Sequence, residues 1–138
     1  MPKRVYLSVP LITNRNLILA RTIADVIKVN DLELASYWVI DDDLGLSKSP
    51  TFVYNRDITT LNASDIIVAD VSTPSIGVGM EIMYSMINKK HVICLHQKGK
   101  PLSRMLLGMS GIIIIEYDTL DELKIELSIM LRQIVAKY

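Results

Sequence analysis

Apolar residues along this chain gather in short unbroken clusters, separated by stretches in which they recur at helical spacing. Val5-Tyr6-Leu7-Ser8-Val9 is a β-branched run ending at Pro10 and predicts a first strand. From Asn14 or Asn16 to Val29, Leu17, Ala20, Ile23, Ala24 and Ile27 share one helical face behind an Asn able to cap it. Leu34 to Ile40 predicts a second strand, stopped by Asp41-Asp42-Asp43-Leu44-Gly45. Ser49-Pro50 supplies an N-cap and a first-turn proline for a helix reaching about Asn62. Ile66-Ile67-Val68-Ala69 lacks polar alternation, the pattern of a strand covered on both faces. A Ser/Pro/Gly loop from Ser72 to Gly79 follows, then a helix from near Val78 to Asn88. Val92 to Leu95 and Ile112 to Ile115 predict two further strands, with a short helix from Ser103 to Leu107 between them. Thr119-Leu120-Asp121-Glu122 matches a capping box and opens a final helix from about Leu120 to Ala136.

Strand and helix alternate five times, which predicts an α/β fold of the doubly wound, flavodoxin- or Rossmann-like kind. The expected sheet has five parallel strands in the order 2-1-3-4-5, with helices on both faces. No linker, internal repeat or low-complexity stretch divides the sequence, so residues 1–138 are expected to form a single domain.

Composition narrows the function classes. Fifteen basic and fifteen acidic residues give a net charge of +0, and nucleic-acid binding through a broad phosphate-neutralising face is not expected. The single cysteine, Cys94, excludes a disulfide framework and a cysteine-cluster metal site, and mid-strand it reads as an inert core thiol. His91 and His96 flank a strand and offer little to a metal centre. No apolar run approaches the about 20 residues of a membrane span. A cytoplasmic protein without metal or cofactor is the expectation. Asp41, Asp42 and Asp43 read as a solvated turn.

In an open parallel sheet, ligands sit beyond the carboxyl ends of the strands, where the strand order reverses. Tyr6 and Ser8 through Asn16 would there face the segment from Asp70 to Glu81. Gly77 and Gly79 permit close backbone approach, the helix N-terminus offers free N–H groups, and Ser72 and Ser75 add hydroxyls. This predicts an anionic ligand. The segment is no P-loop, since no Gly-Lys-Ser/Thr follows. Glu81, expected in the first helical turn, could merely complement the helix dipole. Asp57 beside Arg56 could be a surface pair.

The pattern Asp70-x-Ser72-x-Pro74-Ser75-x-Gly77-Val78-Gly79-x-Glu81 resembles the signature of the 2'-deoxynucleoside 5'-monophosphate N-hydrolases, which share a superfamily with the nucleoside 2-deoxyribosyltransferases. The resemblance runs over roughly residues 4 to 107. It implies Glu81 as a nucleophile on the anomeric carbon, forming a glycosyl-enzyme ester. Asp57, in the stretch Asp57-Ile58-x-x-Leu61-x-x-Ser64-Asp65-Ile66-Ile67-Val68, falls at the second active-site acid, and Tyr6 at the tyrosine beside the carboxylates. Ser8, Asp70, Ser72, Ser75, Gly77 and Gly79 would bind the substrate. Leu102-Ser103-Arg104-Met105 resembles a segment whose serine, here Ser103, reaches the neighbouring subunit's phosphate pocket, which implies a homodimer. The chain departs from the hydrolases after the first strand. Val9 to Arg15 replaces their glycine-rich loop, with Arg15 the candidate for the missing charge. Met80 stands where an aromatic residue is frequent.

The implied activity is hydrolysis of the N-glycosidic bond of a small-molecule nucleotide. Deoxyribosyl transfer between bases is the neighbouring alternative, because another base can intercept the same intermediate in place of water. A nucleotide-binding module without turnover is the third.

Overall fold

The computed structural model describes residues 2–138. The chain runs β1 (Arg4–Ser8), α1 (Leu17–Val29), β2 (Glu33–Leu34), a 3-10 turn (Tyr37–Ile40), α2 (Pro50–Asn62), β3 (Ile66–Asp70), α3 (Ile76–Ile87), β4 (His91–Gln97), α4 (Arg104–Gly108), β5 (Ile113–Tyr117) and α5 (Leu120–Ala136). The five strands form one all-parallel sheet in the order β2-β1-β3-β4-β5, as the alternation predicts.

The pleat separates two cores. Successive side chains on a strand point to opposite faces. Val5, Leu7, Ile66, Val68, Ile93 and Leu95 therefore pack against α1 and α5, while Tyr6, Ile67, Ala69, Val92 and Cys94 pack against Leu61 of α2 and Val78 and Ile82 of α3. Burial pushes the Cys94 thiol up to about 12, so it stays protonated inside this core. The predicted caps form: Asn16 accepts from Leu19 N, Ser49 from Phe52 N and Thr119 from Glu122 N.

The second strand is a correction. Only Glu33–Leu34 pair with β1, and the rest of the expected Leu34–Ile40 strand is turned into a 3-10 helix. Ala35 N still donates to Val5 O, at 2.8 Å. At the next rung the Ser36 hydroxyl accepts from Leu7 N at 2.8 Å and donates to Leu7 O at 2.9 Å. One side-chain oxygen thus satisfies both backbone groups that another strand residue would have met. The chain is free to turn there, burying Val39 and bringing the Trp38 ring alongside Tyr6.

Strand order reverses between β1 and β3, which opens a crevice at their carboxyl ends between the α2 and α3 helices. Among the described residues, no helix is long and apolar enough to cross a membrane.

Candidate active site

Helix α3 starts at Ile76, two residues before the expected Val78, because Ser75 caps it and accepts from Val78 N at 3.4 Å. Glu81 consequently lies in the second turn rather than the first, and no acidic residue occupies the first. Complementing the helix dipole, an effect confined to the terminal turn, is not its role.

The Glu81 side chain reaches the sheet instead. Tyr6 and Ser8 are two positions apart on β1, so both project toward α3. The Tyr6 phenol donates to Glu81 Oε2, and Ser8 Oγ donates to Oε1 at 2.8 Å. Burial raises the proton affinity of Glu81, to about 7, and the Asp57 charge adds to this; the Tyr6 and Ser8 hydrogen bonds and Arg56 oppose it. Burial and the adjoining Glu81 charge hold the Tyr6 phenol far above its ordinary range, so it remains a donor.

Above this carboxylate lies a cleft of about 900 Å³. Its walls are the loop from Val9 to Thr13, the segment leading into α2, and the turn from Pro74 to Glu81. From α2 come Asp57 and Arg56, paired through Arg56 Nε and Asp57 Oδ1 at 2.8 Å. Burial raises the Asp57 proton affinity, and Arg56 counters it. Two carboxyl groups, both made more basic by their surroundings, therefore share one cleft, an arrangement suited to acid–base and nucleophilic chemistry. Apolar side chains, among them Leu11, Ile12, Leu46 and Val53, make up much of the remaining wall. Among the described residues no three His, Cys, Asp or Glu side chains converge as a metal-holding group.

Over 126 residues the chain is 31% identical to a Thermofilum pendens protein named a 2'-deoxynucleoside 5'-phosphate N-hydrolase, a match covering 86% of this chain and 88% of that relative. The chain belongs to the 2'-deoxynucleoside 5'-phosphate N-hydrolase family. With two other relatives of that name the match spans 52% and 58% of their own length. No protein-family model matches. The fold is shared with a Clostridium botulinum CMP N-glycosidase (TM-score 0.70, 20% identity, 92% of this chain and 99% of that one). It is also shared with a 2-deoxyribosyltransferase of Bacillus psychrosaccharolyticus (TM-score 0.63, 15% identity, 88% and 90%).

The residues matching the N-hydrolase signature separate into those on the cleft and those behind it. Ser75 and Gly77 line it; Gly79 does not. A Cβ at either glycine would meet nothing within 4 Å, so neither is required by its protein neighbours. Asp70 and Ser72 are buried and build the loop rather than face the cleft. Asp70 Oδ1 accepts from Ser72 N at 3.0 Å, and Ser72 Oγ accepts from Gln97 N at 2.8 Å. Ser8 is likewise enclosed, with its hydroxyl committed to Glu81. Arg15, the expected phosphate cation, is occupied elsewhere: its guanidinium donates to the carbonyls of Val39, Asp41 and Asp42 and ties down the loop after the 3-10 turn. Ser103 is exposed at the start of α4 and does not line this chain's own cleft.

Sequence reasoning missed Lys48 and Arg56 as the basic residues on the cleft wall, and Trp38 as the ring beneath Arg56. Lys48 directly precedes the Ser49-Pro50 helix start, and Arg56 adjoins Asp57. Both were visible as neighbours of features already singled out.

Proposed function

We propose that this N-hydrolase-family chain cleaves the N-glycosidic bond of 2'-deoxynucleoside 5'-monophosphates, releasing free base and 2-deoxyribose 5-phosphate. The observation that carries this reading is the Glu81 carboxylate, held by Tyr6 and Ser8 at the floor of a cleft that Asp57 overlooks. The relatives' names point the same way.

The geometry supports the following course of reaction. One Glu81 oxygen attacks the anomeric carbon as the carbon–nitrogen bond breaks, and the bonding pair leaves with the base. Asp57, made more basic by burial, donates the proton that neutralises the departing base. The resulting Asp57 carboxylate then takes a proton from water as its oxygen attacks the same carbon, and Glu81 departs as a carboxylate. The transition state is oxocarbenium-like, so a negative oxygen beside it is stabilising, as in retaining glycosidases. Tyr6 and Ser8 restrict the rotamers of Glu81, which fixes the line of attack. Ser75 and the N–H groups opening α3 seat the 5'-phosphate.

The working unit is a homodimer in which Ser103 of one subunit completes the other's phosphate site. Ile76, Met80, Met83 and Ile87 support this: they form an exposed stripe on α3 at spacings of helical neighbours. Adaptable methionines suit such an interface, and Ile76 and Met80 also line the cleft, so a second copy seated there reaches its mouth.

Incubation with 2'-deoxynucleoside 5'-monophosphates and their parent nucleosides, followed by chromatography of released base, tests the activity. Base release exceeding that of Glu81→Gln is the expected result. No release from any nucleotide overturns the reading. Adding a free acceptor base to the same reactions detects a transferase through formation of a new nucleoside.

A further inference from the structure

Arg56 and Asp57 are consecutive residues on α2, yet their side chains are paired at 2.8 Å. Neighbours in a helix project about 100° apart and do not ordinarily face each other. Something outside the helix must draw the guanidinium sideways. The Arg56 guanidinium lies 4.1 Å from the centroid of the Trp38 ring, with Phe52 on the same helix at 5.7 Å. The other side of the site meets the same ring. Trp38 stands edge-on to Tyr6, with centroids 6.2 Å apart and planes at 72°. Tyr6 in turn holds Glu81.

We propose that Trp38 is a positioning residue that sets both cleft carboxylates at once, Asp57 through the guanidinium lying on its face and Glu81 through the Tyr6 ring at its edge. The proposal rests on the assignment of Glu81 and Asp57 as the reacting acids.

The placement of Trp38 fits this role better than that of a volume filler. Its indole Nε1 is buried and has no hydrogen-bond partner among the described residues. A phenyl ring would fill space there without burying an unpaired N–H. An indole is, however, the strongest aromatic partner for a cation, and the face it offers is the one Arg56 uses. The turn that presents it exists because Ser36 ends the strand pairing two residues earlier. Trp38 itself does not line the cleft, so it acts only through the residues it touches.

Arg56 also makes both acids less basic, since its positive charge favours their ionised forms. The groups facing Glu81 are Tyr6 and Ser8 from β1 and Asp57 and Arg56 from α2; those facing Asp57 are Arg56 beside it and Tyr6 and Glu81 across the cleft, with Lys48 on the same wall. Freeing the guanidinium from Trp38 removes the cation that, among the described residues, acts on both acids.

Two variants, Trp38→Leu and Arg56→Gln, test this beside Trp38→Phe. With folding verified by circular dichroism, Trp38→Leu is expected to lower kcat by about ten- to a hundred-fold with little change in KM. The acidic limb of its kcat/KM profile moves to higher pH. Trp38→Phe, which keeps a ring face but a weaker one for the cation, falls between the parent and Trp38→Leu in both kcat and limb position, and Arg56→Gln reproduces the limb shift. Carboxyl-carbon NMR titration of the free protein reads the same coupling without substrate: Glu81 and Asp57 both titrate at higher pH in Trp38→Leu and in Arg56→Gln. If a folded Trp38→Leu protein keeps its kcat and both titrations, the proposal is overturned. Should Trp38→Leu not fold, unchanged titrations in Arg56→Gln overturn it equally. Shifted titrations in a protein that cleaves no nucleotide would leave the coupling standing and remove the proposed activity.

Discussion

The Tyr6 phenol donates to Glu81 across the interface between β1 and α3, joining residues 75 positions apart. The tyrosine sits in the interior of a strand and the glutamate in the second turn of a helix. Neither is on a loop, so the contact is as rigid as the fold. A carboxylate held this way gives up little rotational freedom when a substrate arrives.

Replacing Glu81 by Gln removes the nucleophile and is expected to lower turnover by at least about two orders of magnitude. Stability should move the other way. The folded-state value of about 7 lies above the ordinary 4.5, so the folded chain binds this proton more tightly than the unfolded chain. The carboxyl group is therefore neutral in its effect below about pH 4 and destabilises the fold as pH rises through 7. Glu81→Gln should resist urea better than the parent at pH 8, by at most about 3 kcal/mol, and match it at pH 4. Equal stability at pH 8 would show that burial does not raise the Glu81 value.

Glu81 must be ionised to attack, which sets the direction of the pH dependence. kcat/KM should climb as pH rises toward about 7, by up to about tenfold per unit on the acid side, and fall again at higher pH once the Asp57 acid has lost its proton. In Tyr6→Phe a hydrogen bond to the ionised form is lost, so the limb moves to higher pH while kcat drops. A limb unmoved by this substitution would separate Tyr6 from the titration of Glu81.

Ser72 and Ser75, similar in the sequence, should fail differently. Ser75→Ala removes a hydroxyl from the cleft wall and is expected to raise KM for the nucleotide more than it lowers kcat. Ser72→Ala leaves the part-buried Gln97 N–H without its acceptor and should cost about 1–3 kcal/mol in denaturant unfolding. Its KM should change far less. The opposite pattern would exchange their roles.

Arg15→Met should weaken nucleotide and nucleoside turnover by the same factor and lower Tm, because the guanidinium holds three loop carbonyls. A loss confined to the phosphorylated substrate would return Arg15 to the phosphate.

Mixing inactive Glu81→Ala subunits with subunits disabled at Ser103 tests the shared site. Mixed dimers carry both lesions in one site and none in the other, so activity should reappear. An exchanged mixture that stays inactive excludes Ser103 from the neighbour's cleft.

The sheet order was readable because Ile66 to Ala69 and Val92 to Leu95 are apolar on both faces, a pattern few alternatives share. The helix starts were readable in Asn16, Ser49 and Thr119 because capping is local chemistry. Leu34 to Ile40 was misread for a physical reason. Tyr37, Trp38, Val39 and Ile40 suit a strand by composition, and the bond that overrules them runs from Ser36 to Leu7, 29 residues away. The contacts of Arg15 were unreadable likewise, because its acceptors are backbone carbonyls and leave no trace in side-chain identity. Asp57 and Glu81 were found through the family pattern, and their common cleft was not visible in either segment alone.

The arrangement at Ser36 also bears on how this protein meets other proteins. An open sheet edge is a template on which a stray strand can add, the first step toward aggregates. On the β2 side that template is two residues long, and beyond it a hydroxyl has already closed the donor and acceptor of Leu7. A strand arriving there finds almost nothing to copy. Contacts between molecules on that side are left to helices and side chains, so the turn that serves the cleft also guards the sheet against runaway growth.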